Sequence, residues 1–158
     1  MMLQMALNPP DPYAGFCAVD FLTVEEHAFV KETAEAPEFI LEPWEIDILA
    51  ACVEAEAGDQ PYLGKCYVVD VILNRAIKWN KTVEEVIFQK GQFEVVSNGR
   101  IYKMKPSQDT YDAIAEECQK RKDTEILYFC MYRWFDSWAD YQFTYPKDRP
   151  KNCHHFYK

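Results

Sequence analysis

At 158 residues and a formal charge of −9, the chain is long enough for one domain with a real core and shows no basic stripe of the kind nucleic-acid binders carry. Hydrophobic residues at 49% and aromatics at 15% exclude a disordered chain, and five glycines leave no glycine-rich phosphate loop. No apolar run approaches the ~18 residues that cross a bilayer, so neither nucleic acid nor membrane insertion is expected.

The first ten residues lack the basic start and full apolar stretch of a signal peptide, so the chain is read as made in the cytoplasm without one. Residues 1–43, acidic and punctuated by Pro9-Pro10, Pro12, Pro37 and Pro43, are read as an N-terminal arm or a separate helical lead-in. Within it, Thr23-Val24-Glu25-Glu26 is a capping box that predicts a short helix to about Thr33. The six cysteines (Cys17, Cys52, Cys66, Cys118, Cys130, Cys153) contain no CxxC pair and are read as reduced thiols.

From Trp44 the pattern turns helical, and residues 44–158 are taken as the main domain. Ile48, Leu49, Cys52 and Val53 share one face, with Gly58 as the stop. A loop over 59–63 leads to a second helix with Val68, Val69, Ile72, Leu73, Ala76 and Ile77 as its buried stripe. Thr82-Val83-Glu84-Glu85 caps a short helix to about Gln89, and a loop then runs through the Asn98-Gly99 turn signal. Pro106-Ser107 starts a helix with the stripe Tyr111, Ile114, Ala115 and Cys118, and Lys120-Arg121-Lys122 reads as its solvated last turn. The aromatic run 126–132 predicts a strand, with the tail around His154-His155-Phe156-Tyr157 as its partner. The fold class is α+β, mostly helical with a small sheet.

One residue breaks this pattern. Glu56 projects over Cys52, between Leu49 and Val53, near the middle of an apolar face, whereas Glu54 points to the polar side with Asp47. Burial raises a carboxyl pKa, and the C-terminal end of a helix dipole pushes the same way. A glutamic acid protonated near neutrality suits glycosidic cleavage, which needs a proton donor for the leaving oxygen. The plain structural alternative is a half-exposed helix-end glutamate or one paired with Arg75. Glu45 projects onto the same face, where the first-turn dipole accounts for it.

Read with its neighbours, this stretch resembles a known family. Glu56-Ala57, Pro61-Tyr62, Gly64 and Val71-Ile72-Leu73-Asn74-Arg75 are similar to the SleB-type cell-wall hydrolases, the spore cortex-lytic enzyme family. Gly64 and Asn74 fall at the family spacing from Glu56, and Glu54 is two residues out of that register. Gly91-Gln92-Phe93, Asn98-Gly99, Leu127-Tyr128-Phe129 and the closing His154-His155-Phe156-Tyr157 follow in the family's order, so the likeness covers residues 44–158. It departs at Asp59-Gln60, where the family has glycine and an acidic residue, and at Lys151-Asn152-Cys153, which replaces a glycine-rich approach to the histidine.

The resemblance implies a lysozyme-like helical domain around a cleft and peptidoglycan glycan strands as partner. It implies cleavage of the β-1,4 bond between N-acetylmuramic acid and N-acetylglucosamine, with Glu56 as the acid of a lytic transglycosylase and no metal or cofactor. Gln92 and Asn74 are candidate hydrogen-bonders to sugar, Phe93, Tyr128 and Tyr157 are candidate stacking residues, and His154 joins the substrate-binding set. Each has a plain alternative as core or loop polarity. Zinc at Cys153, His154 and His155 is disfavoured, because neighbours in a strand face opposite ways. The rivals are a hydrolytic muramidase, a non-catalytic peptidoglycan-binding virion or wall protein, and a cytosolic interaction protein with a coincidental pattern. The cell wall as site of action, reached by phage-mediated release or as a virion component, completes the expectation.

Overall fold

The computed structural model describes residues 37–131, 140–144 and 153–158. The predicted helix at Thr23 therefore lies outside the described residues, as does Cys17. Five helices precede a small sheet: α1 (Pro43–Ala57), α2 (Tyr62–Trp79), α3 (Val83–Ile87), α4 (Glu94–Ser97) and α5 (Gln108–Gln119), then β1 (Tyr128–Cys130), β2 (Tyr141–Thr144) and β3 (His155–Tyr157). A 3-10 turn, Arg100–Lys103, joins α4 to α5.

α1 begins at Pro43, whose fixed φ suits a first helical position, and the Glu42 amide donates to Glu45 Oε2 at 3.1 Å. That bond accounts for Glu45 without any functional role. The helix ends at Gly58, in right-handed geometry (φ −61°). Glycine is needed there for space, since a Cβ would stand 2.5 Å from the Glu54 carbonyl oxygen and 2.9 Å from Glu54 Oε1.

α2 is the central element and packs against α1, α3 and α5. It starts at Tyr62, inside the stretch expected to be loop, because Pro61 supplies an extended N-cap. From Gly64 to Ala76 almost every side is covered. Ile77 is the exception to the predicted stripe: it is 55% exposed, beyond the end of the packed region. Asp70 lies inside the same region, accepting from the Asp123 amide at 2.8 Å. Burial, then the neighbouring Glu117, pushes the Asp70 carboxyl up to about 9.

The Thr82 capping box forms as expected, with Thr82 Oγ1 accepting from the Glu85 amide at 3.1 Å and Glu85 Oε2 from the Thr82 amide at 2.8 Å. The expected loop after it folds further than its sequence suggests. It contains the single turn α4, and Gly99 at φ 71° supplies the left-handed residue that turns the chain.

α5 departs most from the apolar pattern. Its buried residues are Thr110, Ala113, Ile114 and Glu117, while Ala115 is exposed and Tyr111 and Cys118 are only half-buried. The face is rotated because polar groups point inward with partners of their own: Thr110 donates to Glu54, and Glu117 accepts from Lys122. Lys120-Arg121-Lys122 is correspondingly not a solvated helix turn. Arg121 bonds Glu38 at 2.8 Å and Asn74 Oδ1 at 2.7 Å, and Lys122 Nζ reaches Glu116 and Glu117 at 2.5 and 2.7 Å. The Phe39 amide donates to Cys118 O at 3.0 Å, so the stretch before α1 lies along the end of α5.

The sheet has the order β1-β3-β2, entirely antiparallel, with the C-terminal strand in the middle. Tyr128 opposes Tyr157, Phe129 opposes Phe156, and Cys130 opposes His155. The predicted pairing of the tail with the 126–132 run thus forms, and β2 is an addition to it. The fold class is as the sequence predicts: mostly helical, with a small sheet. Among the described residues, Cys52, Cys66, Cys118, Cys130 and Cys153 are thiols outside any disulfide. Among the described residues, no helix is long and apolar enough to cross a membrane.

Candidate active site

The two glutamates at the end of α1 meet opposite surroundings. Glu54 faces α5. Its Oε2 accepts from the Ser107 amide at 3.1 Å, Ser107 Oγ at 3.0 Å, Lys65 Nζ at 3.5 Å and, in a short bond, Thr110 Oγ1. It is therefore only 16% exposed and not on a solvated polar side, because that side of α1 is covered by the start of α5. Burial pushes its carboxyl up, but the donors from Thr110 and Ser107 and the Lys65 charge outweigh burial and hold it below the ordinary value.

Glu56 faces the other way. Leu49, Cys52 and Val53 beside it are fully buried, and it is half-buried at one wall of a cleft of about 370 Å³. Its carboxyl is pushed up chiefly by burial and further by the Glu94 charge. A hydrogen bond from the Val95 backbone amide and the charges of Arg100 and Arg75 oppose this without cancelling it. Arg75 makes no ion pair with it: Arg75 Nε donates to Leu127 O at 2.6 Å, and the guanidinium lies 5.3–5.4 Å from the ring centres of Trp79, Phe93 and Tyr128.

The far wall of the cleft comes from chain that is distant in sequence. α4 brings Glu94 and Val95, the following turn brings Arg100, β1 brings Phe129, and the approach to β3 brings His154. His154 is almost wholly buried, its ring 4.9 Å from that of Phe129. Burial depresses its pKa to about 4, with the nearby Asp59 charge opposing and His155 assisting, so it is neutral through the near-neutral range.

Phe129 also lines a second groove of about 390 Å³, shared with Arg75, Trp79, Gln92 and Tyr128. The two depressions thus adjoin along one strand. Of the residues expected at the site, Glu56 and His154 share the first, and Gln92 and Tyr128 share the second. Phe93 is 3% exposed, packed against Phe129 and under the Arg75 guanidinium. Tyr157 is fully buried in the middle strand. Neither ring presents a face to solvent on which a sugar could stack.

Asn74 is outside both depressions, as a clamp between α2 and the chain before β1. Its Nδ2 donates to Asp123 O at 2.9 Å and Ile126 O at 2.8 Å, and its Oδ1 accepts from Arg121. Asn74→Ala is expected to cost about 3 kcal/mol of unfolding free energy, because a buried and a part-buried carbonyl lose a donor and the Arg121 guanidinium one of its acceptors at once. Denaturant unfolding of the two proteins measures this directly.

Glu94, Arg100 and Phe129 were not foreseen at the site. A charge on a one-turn helix or a turn carries no periodic signal, and only the tertiary fold brings these residues opposite Glu56. Asp59, in the stretch where the chain departs from the family pattern, is exposed and is not among the described residues that line the cleft; it accepts from Gln60 Nε2 at 3.2 Å. The metal-spaced group among the described residues is Cys66, Glu116 and Glu117, where Lys122 already pairs with both carboxylates.

A helical domain with a desolvated glutamate in an open cleft can be compared with known proteins. The family model described as Cell Wall Hydrolase matches residues 59–157, well over half the chain. This chain belongs to the cell wall hydrolase family. The match begins three residues after Glu56 and takes in the described cleft-lining residues other than Ala55 and Glu56. A spore cortex-lytic enzyme of Bacillus cereus is 35% identical over 74 residues, covering 46% of this chain and 28% of that protein, so the chain spans about a quarter of that relative. The catalytic domain of the germination-specific lytic transglycosylase SleB from Bacillus anthracis superposes with a TM-score of 0.60 at 26% identity, over 75% of this chain and 97% of that one. The catalytic domain of the Bacillus cereus SleB protein gives 0.52, also at 26% identity, over 72% and 89%. The SleB-type resemblance read from the sequence is therefore the right family.

Proposed function

We propose that this cell wall hydrolase cuts peptidoglycan at the β-1,4 bond between N-acetylmuramic acid and N-acetylglucosamine, as a lytic transglycosylase with Glu56 as its acid. The observation that carries the proposal is the half-buried Glu56 carboxyl on the cleft wall, held above its ordinary pKa mainly by burial. Such a group keeps its proton where an exposed glutamate has lost it, and can hand it to the leaving oxygen. The Glu56 carboxylate then takes the proton from the muramoyl 6-hydroxyl as that oxygen closes onto C1, giving a 1,6-anhydro end. The proton count returns to its start and no water is consumed. The name of one similar solved domain, a germination-specific lytic transglycosylase, supports this reading. The wall would be reached by phage-mediated release or as a virion component.

Hydrolysis is the second reading, favoured by one specific observation: Glu94 lines the same cleft and could activate a water against C1. Digestion of peptidoglycan in ¹⁸O-labelled water, followed by mass spectrometry of the soluble fragments, separates the two. Anhydro ends without label support the transglycosylase, labelled reducing ends the muramidase, and an absence of fragments rejects both.

The raised Glu56 value sets the pH dependence. The acid must be protonated, so kcat/KM is high below its folded pKa and falls as pH rises through it. We expect this falling limb above 4.5, the ordinary glutamate value, and a pH–rate profile on soluble glycan strands reads it. A limb at or below 4.5 would count against Glu56 as the proton donor.

A further inference from the structure

We propose that Arg100 is a specificity residue that binds a carboxylate of the substrate, so that this cleft selects anionic glycan. The inference rests on the peptidoglycan-cleaving reading and adds to it the part of the substrate that Arg100 recognises.

Arg100 is held at a defined point on the cleft wall. The left-handed Gly99 turns the chain, the Arg100 amide donates to Asn98 Oδ1 at 2.9 Å, and the next residue, Ile101, is buried in the core. The side chain is exposed and lines the cleft that contains Glu56, on which its charge acts. Ion pairs among the described residues are made by Lys65, Arg121, Lys122 and Lys158, and none takes up Arg100. Glu94 lines the same cleft without closing a pair with it. Since His154 is neutral, Arg100 is the one cation among the described lining residues.

The protein carries a net charge of −9 and acts on a polymer that is itself anionic, so a fixed guanidinium in the cleft opposes the general repulsion where the chain must bind. A guanidinium is matched in shape and charge to a carboxylate, which it can hold through two parallel hydrogen bonds. Peptidoglycan offers carboxylates from two sources: the lactyl group of muramic acid once its peptide is removed, and the acids of the stem peptide. Binding either would also neutralise the charge that draws the Glu56 pKa down. Glu56 would then hold its proton more firmly in the complex than in the free protein.

The test uses the full chain on four substrates: glycan strands with stem peptides and strands stripped of them, each with its carboxylates intact or converted to carboxamides. The native protein is expected to prefer one or both anionic forms by about tenfold in kcat/KM. The pair that shows the preference names the source. In Arg100→Gln the preference collapses to about one, while Arg100→Lys, which keeps the charge and loses the fork, retains part of it. On the preferred substrate, the native kcat limb lies at higher pH than the kcat/KM limb, and the two limbs coincide in Arg100→Gln. A native ratio near one on both pairs overturns the proposal, as does a ratio that survives in Arg100→Gln. A limb shift of equal size on anionic and amidated substrates would assign Arg100 to tuning Glu56 alone and also overturns it. Should the native protein release no product from any of the four, the cleavage reading fails and takes this inference with it.

Discussion

Replacing Glu56 by glutamine is expected to lower the release of soluble fragments from peptidoglycan by about a thousandfold, within the range that loss of a general acid costs. The amide keeps the shape of the side chain and cannot deliver the proton. Folding should not suffer, and the sign follows from the pKa. Glu56 is raised in the folded protein, so its stability contribution is in place below the unfolded value and is lost as pH rises through the folded one. Above that window an ionised, desolvated carboxylate works against the fold. Glu56→Gln removes this cost, so its melting temperature near neutral pH should equal or exceed the native one. Activity lost with stability kept or gained is the signature of a group placed for chemistry at the expense of the fold.

Glu54→Ala should give the opposite result, although the residue is only two positions away. It removes the acceptor for the Ser107 amide, the Ser107 and Thr110 hydroxyls and Lys65 Nζ, all at the junction of α1, α2 and α5. Breaking a buried ion pair costs several kcal/mol because the remaining charge stays buried. Lys65 keeps the hydroxyls of Ser107 and Thr110, at 2.8 and 3.0 Å, which softens the loss. We expect a destabilisation of about 3 kcal/mol at pH 7, read from denaturant midpoints. The pH sign is also reversed. The Glu54 carboxyl is depressed in the folded protein, so its contribution is present above 4.5, the ordinary glutamate value, and is lost as pH falls through the lower folded value. The gap between native and variant should therefore close in acid.

These two residues also show how far the sequence could be read. Glu56 was visible because an acidic residue on a face otherwise made of Leu49, Cys52 and Val53 breaks a strong period, and that face is indeed buried. Glu54 is hidden from such a reading because the polar side of α1 looks solvated until α5 is placed against it. α5 itself is obscured for the same reason. Thr110 and Glu117 are buried against Glu54 of α1 and Asp70 of α2, and a periodicity count treats them as surface. The aromatic run at 128–130 and the closing His155–Tyr157 were legible as paired strands, since both are short and rich in residues that favour sheets. β2 (Tyr141–Thr144) is equally short and rich in such residues, is not among the strands the sequence predicts, and pairs with β3 irregularly between Tyr141 and Phe143.

At the site the division is similar. His154 stands in the Glu56 cleft and Gln92 beside Tyr128 in the adjoining groove, all from motifs that a chain reading can pick out. Asn74 belongs to the same motif as Arg75 and yet serves as a clamp for the chain before β1. The opposite wall, with Glu94 and Arg100, depends on a one-turn helix and a glycine turn whose position relative to α1 is set only by tertiary packing. A motif can thus locate the proposed acid, but the charges of Glu94 and Arg100 beside it appear only in the folded chain.

The most direct measurement is a side-by-side digestion of purified peptidoglycan by the native protein and Glu56→Gln, with the soluble muropeptides resolved by mass spectrometry. Anhydro-muropeptides are expected from the native protein and essentially none from a variant that melts no lower. Equal product from both, or none from either while both still bind the wall, would contradict Glu56 as the acid of a lytic transglycosylase.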